Sequence, residues 1–366
     1  MRALSIRKWG RLGLEVVLPL VLASGCASGS ALQQGEARPQ GRGDATADAM
    51  DAASGARPTL QSCVGASFAA VPERGWDQLS SRLVAALGAA QHSMQDVLVT
   101  PSSPIALVGK FAYGAVSKDM EHETVRGFLH DCSGWRSLGD RRTNDDGRVT
   151  FAPDFALPVG VYDVVLELLG DASLARGRVW VLPVGTRLVV SDIDGTLTTG
   201  DEEVFRDVFV ELFSPLFAGS YVPRAYPSAV ELTQALVARK YLLVYLTGRP
   251  YWLTGTTRDW LSELGFALGA LHTCDSNAEA LPTEGGVQAF KLAYLRSLER
   301  AGFVVDEAYG NAPTDVGAYL GAGLAAERIW IIGKHGGSHG TKGVAASWEA
   351  RTAEARALPA VTQTFD

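Results

Sequence analysis

Two aspartates that follow a short apolar run could carry out group-transfer chemistry. Asp192 and Asp194 come just after residues 188–190, a run typical of a buried strand. One carboxylate at a strand end can attack phosphorus, while the second exchanges a proton with the leaving oxygen. Gly195 permits a tight turn, and the Thr196 hydroxyl can steady it. A bare D-x-D is common in acidic surface turns, but D-x-D-G-T directly after a buried strand is a specific signal.

Three further segments offer groups that suit a phosphate and a cation. The hydroxyl of Thr247 and the backbone around Gly248 could bind a phosphoryl oxygen. Lys291 could neutralise phosphate charge, although a solvated surface lysine is the commoner outcome for such a residue alone. Asn311 and Asp315 offer oxygen ligands that suit Mg²⁺. Ligands of parallel sheets bind beyond the carboxyl ends of the strands, so we expect these groups to meet there.

From residue 186 onward, buried apolar runs alternate with helical patterns, which predicts an α/β fold with a doubly wound parallel sheet. The predicted strands cover residues 188–190, 242–246, 266–271, 307–309 and 329–332. The predicted helices cover residues 229–239, 256–264 and 288–301.

The preceding stretch has the short strands and turn signals of an antiparallel domain. After a helical pattern over residues 76–87, β-rich runs occur between residues 97 and 183. In residues 161–168, Asp163 and Glu167 share one face of a strand and apolar side chains fill the other. This pattern predicts a small immunoglobulin-like β-sandwich before the α/β domain.

The ordered motifs resemble the haloacid dehalogenase (HAD) phosphatase superfamily. More narrowly, residues 189–335 resemble the catalytic domain of lipins, the phosphatidate phosphatases, and the related LNS2 domain of membrane-associated phosphatidylinositol transfer proteins. The resemblance covers about two-fifths of the chain, and it rests on D-I-D-G-T at 192–196, L-T-G-R-P at 246–250, T-R-D-W-L at 257–261, F-K at 290–291 and G-N-A-P-T-D-V-G-A-Y at 310–319. The sequence departs from lipins in T-G-R-P, where lipins commonly have S-A-R-P.

The resemblance implies an Mg²⁺-dependent reaction through an aspartyl-phosphate. Asp192 is then the nucleophile and Asp194 the acid and base. Asp192, the backbone carbonyl of Asp194, and the loop with Asn311 and Asp315 would hold Mg²⁺. The nucleophile is typically lost in the transfer-protein relatives, so its retention here favours catalysis.

The same resemblance assigns phosphate binding to Thr247, Gly248 and Lys291. Arg258 is a further candidate, which either binds phosphate or pairs with an acidic neighbour such as Asp259. The expected substrate is phosphatidate or a related lipid phosphate. A soluble phosphomonoester and a non-catalytic lipid-sensing role are the alternatives.

The N-terminus predicts attachment to a membrane. A positively charged start, an apolar run over residues 14–22, and the lipobox-like L-A-S-G-C ending at Cys26 indicate a lipoprotein signal peptide over residues 1–25. An ordinary secretory signal is the alternative. Ala27 after the cysteine favours the outer membrane, facing the periplasm, in a Gram-negative host. The net charge of −7 argues against nucleic acid as a partner.

These patterns divide the chain into five parts: the signal peptide, a flexible linker (26–62), a helix plus β-sandwich domain (63–185), the phosphatase-like domain (186–345) and a C-terminal helix or tail (346–366). In an oxidising compartment we favour a disulfide between Cys63 and Cys132, which leaves Cys274 without a disulfide partner.

Residues 204–213 have an apolar helical stripe, and we expect this stripe to pack on the sheet. The alternative is that the adjacent residues 216–223 contact the bilayer near the active site.

Overall fold

A computed structural model describes residues 60–101, 103–114, 117–199, 224–275 and 284–365. Four predicted features lie outside these residues: the signal peptide, Cys26, most of the linker, and the apolar residues 204–223. Among the helices of the described part, none is long and apolar enough to cross a membrane.

The described strands are β1 (Gln61–Cys63), β2 (Ser93–Met94), β3 (Val97–Val99), β4 (Leu107–Lys110), β5 (Ala112–Tyr113), β6 (Lys118–Asp119), β7 (Thr124–His130), β8 (Trp135–Arg142), β9 (Arg148–Phe151), β10 (Gly160–Leu168), β11 (Ser173–Val181), β12 (Arg187–Ser191), β13 (Thr198–Thr199), β14 (Arg224–Ala225), β15 (Leu242–Pro250), β16 (Gly269–Cys274), β17 (Val304–Gly310), β18 (Ile329–Ile332) and β19 (Lys342–Val344). The α-helices are α1 (Leu79–Ala85), α2 (Ala229–Ala238), α3 (Thr254–Glu263), α4 (Glu284–Arg300), α5 (Pro313–Gly321) and α6 (Glu349–Ala357). Short 3₁₀ turns cover Tyr251–Leu253, Ala326–Arg328 and Ser338–Gly340.

The first domain is the predicted β-sandwich. One sheet has the order β3-β11-β10-β7-β8 with β1 also beside β10, and a smaller sheet has the order β2-β4-β9. The predicted alternation in β10 is correct, because Tyr162, Val164 and Leu166 fill the core. Glu167, on the other face, is buried as well, and its carboxylate accepts the backbone N–H of Val71 at 2.7 Å. The segment before α1 therefore covers this face.

The N-terminal edge of the sandwich is fixed by a strand and a disulfide. Gln61 and Ser62, predicted to belong to the linker, instead pair in parallel with β10 as part of β1. Cys63, the last residue of β1, is disulfide-bonded to Cys132, as predicted. Cys274 is buried in the second domain, where its Sγ lies 3.4 Å from the carbonyl oxygen of Gly248.

The second domain is the predicted doubly wound α/β fold. Its parallel sheet has the order β16-β15-β12-β17-β18-β19. Successive residues of β12 enter opposite cores: Leu188 and Val190 pack with Phe290 of α4, whereas Val189 packs with Leu232 of α2. This alternation places helices on both faces of the sheet, so only the strand ends remain for a polar site.

A turn of the sandwich is bound to the edge of the parallel sheet. The Asp96 carboxylate, 1% exposed, accepts both terminal nitrogens of Arg258 at 2.8 and 3.1 Å, and also the backbone N–H of Leu271 at 2.9 Å. The Gln95 amide bonds to the backbone N–H and carbonyl of Thr273 at 3.0 and 2.8 Å. Both β-sandwich residues thus form hydrogen bonds to the backbone of the edge strand β16, in the place where a further strand would pair.

Candidate active site

Three neighbouring strands bring their carboxyl ends to one polar cluster. Asp192 follows β12, Thr247 lies near the end of β15, and Asn311 follows β17. Since β12 lies between β15 and β17 in the sheet, the nucleophile candidate stands at the centre of the cluster. The sequence-based expectation that these segments meet is fulfilled.

Lys291 joins the two carboxylates of the cluster. Its Nζ lies 2.6 Å from Asp192 Oδ1 and 2.6 Å from Asp315 Oδ1, and all three side chains are at most 6% exposed. Asp315 lies in the first turn of α5, where its other oxygen accepts the backbone N–H groups of Asn311 and Ala312 at 3.0 and 3.1 Å. The carboxylate therefore both caps the helix and faces the lysine.

The loop after β12 is fitted closely against Asn311. The Thr196 hydroxyl lies 2.9 Å from Asp192 Oδ2 and 3.1 Å from Asn311 Oδ1. Gly195 has φ 74°, and a Cβ there would lie 2.1 Å from Asn311 Nδ2. Glycine is required at this position because of its positive φ and because of the close approach of Asn311. The sequence predicted the tight turn, and the structure adds the close approach.

Asp194 is held by a residue that the sequence analysis missed. Arg249 Nε lies 2.9 Å from Asp194 Oδ2 and Nη2 lies 2.7 Å from Oδ1, which makes a bidentate pair. Arg249 Nη1 also donates to Thr257 Oγ1 at 3.0 Å, and Thr247 Oγ1 lies 3.1 Å from Asp194 Oδ2. Thr247 and Arg249 are two residues apart in a strand and so share a face, a signal that could have indicated the arginine.

Arg258 does not join this cluster. Both terminal nitrogens of its guanidinium are bound to Asp96 of the β-sandwich. Of the two roles expected from the sequence, the structure therefore shows the pairing with an acidic residue, but that residue is Asp96 and not Asp259. Gly248 lies within β15 rather than at a helix start, because that strand continues to Pro250 before the 3₁₀ turn. The phosphate-binding role predicted for Gly248 stays a prediction.

Burial and charge act against each other on the central pair. Burial raises the pKa of Asp192 to about 7, the Lys291 ammonium lowers it, and Asp315 and Asp194 add to the rise. Burial alone would lower the pKa of Lys291, but Asp192 and Asp315 raise it above its ordinary value. The first shift favours a neutral acid and the second a charged amine. The 2.6 Å contact between Lys291 and Asp192 favours the charged form of both partners.

The donor set of the cluster fits a hard divalent cation. Asp192 Oδ2 and Asn311 Oδ1 converge on the same hydroxyl, and Asp315 lies across Lys291 from Asp192. Among the described residues no group of three or more carboxylate, histidine or cysteine side chains surrounds one point. Two carboxylates with an amide or backbone oxygen are what Mg²⁺ takes when water completes its shell. The predicted Mg²⁺ ligands therefore remain suitable, and their use is a proposal below.

The parallel sheet and this strand-end site define a HAD-like domain. Residues 189–333 match the family described as the LNS2 domain of PITM 1-3, and residues 90–181 match the β-sandwich domain of the same proteins. The chain therefore contains the β-sandwich and HAD-like LNS2 domains of this family, as the sequence motifs indicated for the second domain.

The relatives are considerably longer proteins. The human membrane-associated phosphatidylinositol transfer protein 1 is 29% identical over 76% of this chain and 21% of its own length. The mouse membrane-associated phosphatidylinositol transfer protein 3 is 29% identical over 67% of this chain and 24% of its own length. Protein retinal degeneration B of Drosophila melanogaster is 29% identical over 68% of this chain and 18% of its own length. The chain thus spans about a fifth to a quarter of the relatives that it matches.

Proposed function

We propose that the chain is an Mg²⁺-dependent phosphatase of a lipid phosphate, with phosphatidate as the substrate and diacylglycerol as the product. The observation that carries this proposal is the buried contact of Lys291 with Asp192 and Asp315 at the carboxyl edge of the sheet. A nucleophilic carboxylate beside a fixed cation, with a second acid two residues further on, is the arrangement that phosphoryl transfer to aspartate requires.

In this mechanism an Asp192 oxygen attacks phosphorus, and the bond from phosphorus to the leaving alcohol oxygen breaks. Asp194 supplies the proton to that oxygen, then accepts a proton from the water that cleaves the aspartyl-phosphate. Thr247 and Lys291 bind oxygens of the transferred group. Asp192, the Asp194 carbonyl, Asn311 and Asp315 would hold Mg²⁺, which would supply the positive charge that offsets the repulsion between nucleophile and phosphate. That repulsion is about 4 kcal/mol for two charges ~4 Å apart at an effective dielectric of 20.

A second candidate is recognition of a lipid phosphate without turnover. The bidentate pair of Arg249 with Asp194 favours it, because both carboxylate oxygens of Asp194 are already bound within the protein, by the guanidinium and by Thr247. The relatives' names, which describe membrane-associated phosphatidylinositol transfer proteins, agree with a lipid ligand in either case. The predicted anchor at Cys26 would bring the domain to a membrane and is part of this proposal.

The deciding experiment is phosphate release from phosphatidate in mixed micelles by the full chain, with and without Mg²⁺. We expect Mg²⁺-dependent release, and at least about a 10³-fold loss in Asp192→Asn, which removes the nucleophile. Asp306→Asn is the matched control, because Asp306 lies on the adjacent strand β17 near its opposite end and pairs with Arg187. The control should retain wild-type turnover.

The other outcomes separate the alternatives. Turnover of a small phosphomonoester without turnover of phosphatidate would replace the lipid substrate with a soluble one. Binding of phosphatidate vesicles without any phosphate release by folded protein would favour recognition. Wild-type activity in Asp192→Asn would overturn the assigned nucleophile in every case.

A further inference from the structure

A tryptophan near the C-terminus is hydrogen-bonded to the nucleophile loop, residues 192–196. Trp348, the residue before α6, is fully buried, and its Nε1 donates to the backbone carbonyl of Thr196 at 2.8 Å. Thr196 is the last residue of D-x-D-G-T, 152 positions earlier in the chain. The indole is the donor that satisfies this buried carbonyl, which would otherwise carry a desolvation cost.

The position of Thr196 matters because of what its side chain contacts. Its hydroxyl has a single proton and two acceptors within reach, Asp192 Oδ2 at 2.9 Å and Asn311 Oδ1 at 3.1 Å. A shift of the Thr196 backbone therefore moves the hydroxyl relative to the nucleophile and relative to the asparagine proposed to bind Mg²⁺. The indole thus affects Asp192 and Asn311 indirectly, through the position of Thr196.

The same helix also holds the strand that carries Asn311. Arg351 Nε lies 3.0 Å from the Tyr309 hydroxyl, and Nη2 lies 2.5 Å from Glu307 Oε2. The backbone carbonyl of Tyr309 accepts the Asp192 N–H at 2.9 Å. Trp348 itself packs edge-on against the Tyr309 ring, with 5.5 Å between the centroids. The start of α6 therefore contacts both the loop after β12 and the strand β17 that leads into Asn311.

We propose that Trp348 is a positioning residue for the phosphatase reaction, acting through the Thr196 carbonyl on the separation of Asp192 and Asn311. The proposal rests on the proposed function. It assigns a role to the part of the chain after residue 333, where the match to the LNS2 family ends. The alternative is that Trp348 contributes only to core packing, since it belongs to the same apolar cluster as Trp330.

The two tryptophans give a matched pair of variants. Trp330 is 8% exposed, and its Nε1 finds no hydrogen-bond partner among the described residues. Phenylalanine at either position removes the indole N–H and a similar volume. Only at Trp348 does the change also leave a buried carbonyl without its donor. A difference between the variants therefore reports the hydrogen bond rather than the packing.

The first measurement is phosphate release by the full-length variants. We expect Trp348→Phe to lower kcat about 10-fold or more, since the buried Thr196 carbonyl loses its donor and the nucleophile loop must shift to recover one. We expect KM to stay close to that of wild type, because Trp348 contacts no substrate group. Trp330→Phe should leave both parameters nearly unchanged.

The second measurement does not depend on activity. Amide hydrogen exchange of the metal-free protein reports the backbone N–H groups of Thr196, Leu197 and Thr198, all bonded to the Ile193 carbonyl. We expect their exchange to be about 10-fold faster in Trp348→Phe than in Trp330→Phe. Equal exchange in the two variants would overturn the proposal, as would an equal loss of kcat. If wild type releases no phosphate, the exchange result still decides whether Trp348 positions the loop, so failure of the phosphatase proposal is seen separately.

Discussion

At the scale of single residues, Arg249 raises the sharpest question about the site. It makes a bidentate pair with Asp194, the group proposed to donate and accept the proton, and also donates to Thr257. For the phosphatase, this pair must orient the carboxylate and then release it. For a lipid-phosphate receptor, the same pair would simply persist. Removal of the guanidinium therefore separates the two candidate functions.

We predict that Arg249→Met lowers phosphate release about 10²-fold, because the Asp194 carboxylate loses the fork that sets its position, and small displacements of a reacting group cost that much. Arg249→Lys should recover only part of the activity, since an ammonium cannot make the bidentate contact. The measurement is kcat in single-turnover assays with phosphatidate. Thr257→Val is the control; it removes one outer contact of Arg249 and should cost less than 10-fold. Unchanged turnover in Arg249→Met would contradict an orienting role.

The sequence predicted the central residues of the site because they belong to motifs at strand ends. Asp192, Lys291 and Asp315 were foreseeable in this way, and in the structure Lys291 contacts both aspartates. The position of Arg258 was not foreseeable from its motif, because its partner is Asp96, a residue of the other domain. Contacts between domains leave no periodic trace in a sequence.

At the scale of elements, prediction succeeded where burial leaves a regular pattern. The parallel strands are apolar on both faces, and β10 alternates clearly, so both domains were recognisable. β8 has no such pattern, because it is largely exposed: only two of its eight residues, Trp135 and Leu138, are half-buried. β16 was predicted three residues too early because the apolar run begins at Phe266, which packs in the core before the strand starts at Gly269.

His92, just before β2, should make the sandwich sensitive to acid. Burial lowers its pKa to about 4, although Asp171 raises it. Its ring also contacts Ser173, Phe111 and Tyr113. Because the folded-state pKa is below the unfolded value of about 6.5, the folded state binds the proton less readily. The stabilisation is complete above about pH 6.5 and is lost as the pH falls toward 4.

We predict that this histidine alone removes about 3 kcal/mol from the unfolding free energy between pH 7 and pH 4. Urea unfolding at the two pH values measures the loss, and His92→Gln should make it smaller by about that amount. Leu129→Ala, a change in the same core that adds or removes no titrating group, should lower the free energy equally at both pH values. The same loss in His92→Gln as in wild type would refute the assignment.

At the scale of the whole molecule, Asp96 is a buried polar link between the sandwich and the α/β domain. It is 1% exposed and accepts from Arg258, from the backbone of Leu271 and from the backbone N–H of Arg178. A single carboxylate therefore satisfies donors of both domains. Its loss would leave the Arg258 charge partly buried without a partner.

We predict that Asp96→Ala costs about 3–5 kcal/mol, as for other buried ion pairs broken on one side. The change should also weaken the coupling of the two domains and broaden one cooperative thermal transition towards two, since the domains lose one of their shared polar contacts. Calorimetry of the full chain measures both effects. Asp140→Ala removes an exposed pair with Arg126 inside the sandwich and should cost at most about 1 kcal/mol. A single transition in Asp96→Ala would mean that other contacts couple the domains.

The entry of the chain into the sandwich has a mechanical consequence. β1 lies parallel to β10, and the disulfide from Cys63 to Cys132 follows at once. Traction on the residues before β1 is first resisted in shear by the strand pair. It is then carried by a covalent bond into the turn between β7 and β8. A pull on the chain before β1 is thus borne first by the sandwich, ahead of the sheet that holds Asp192.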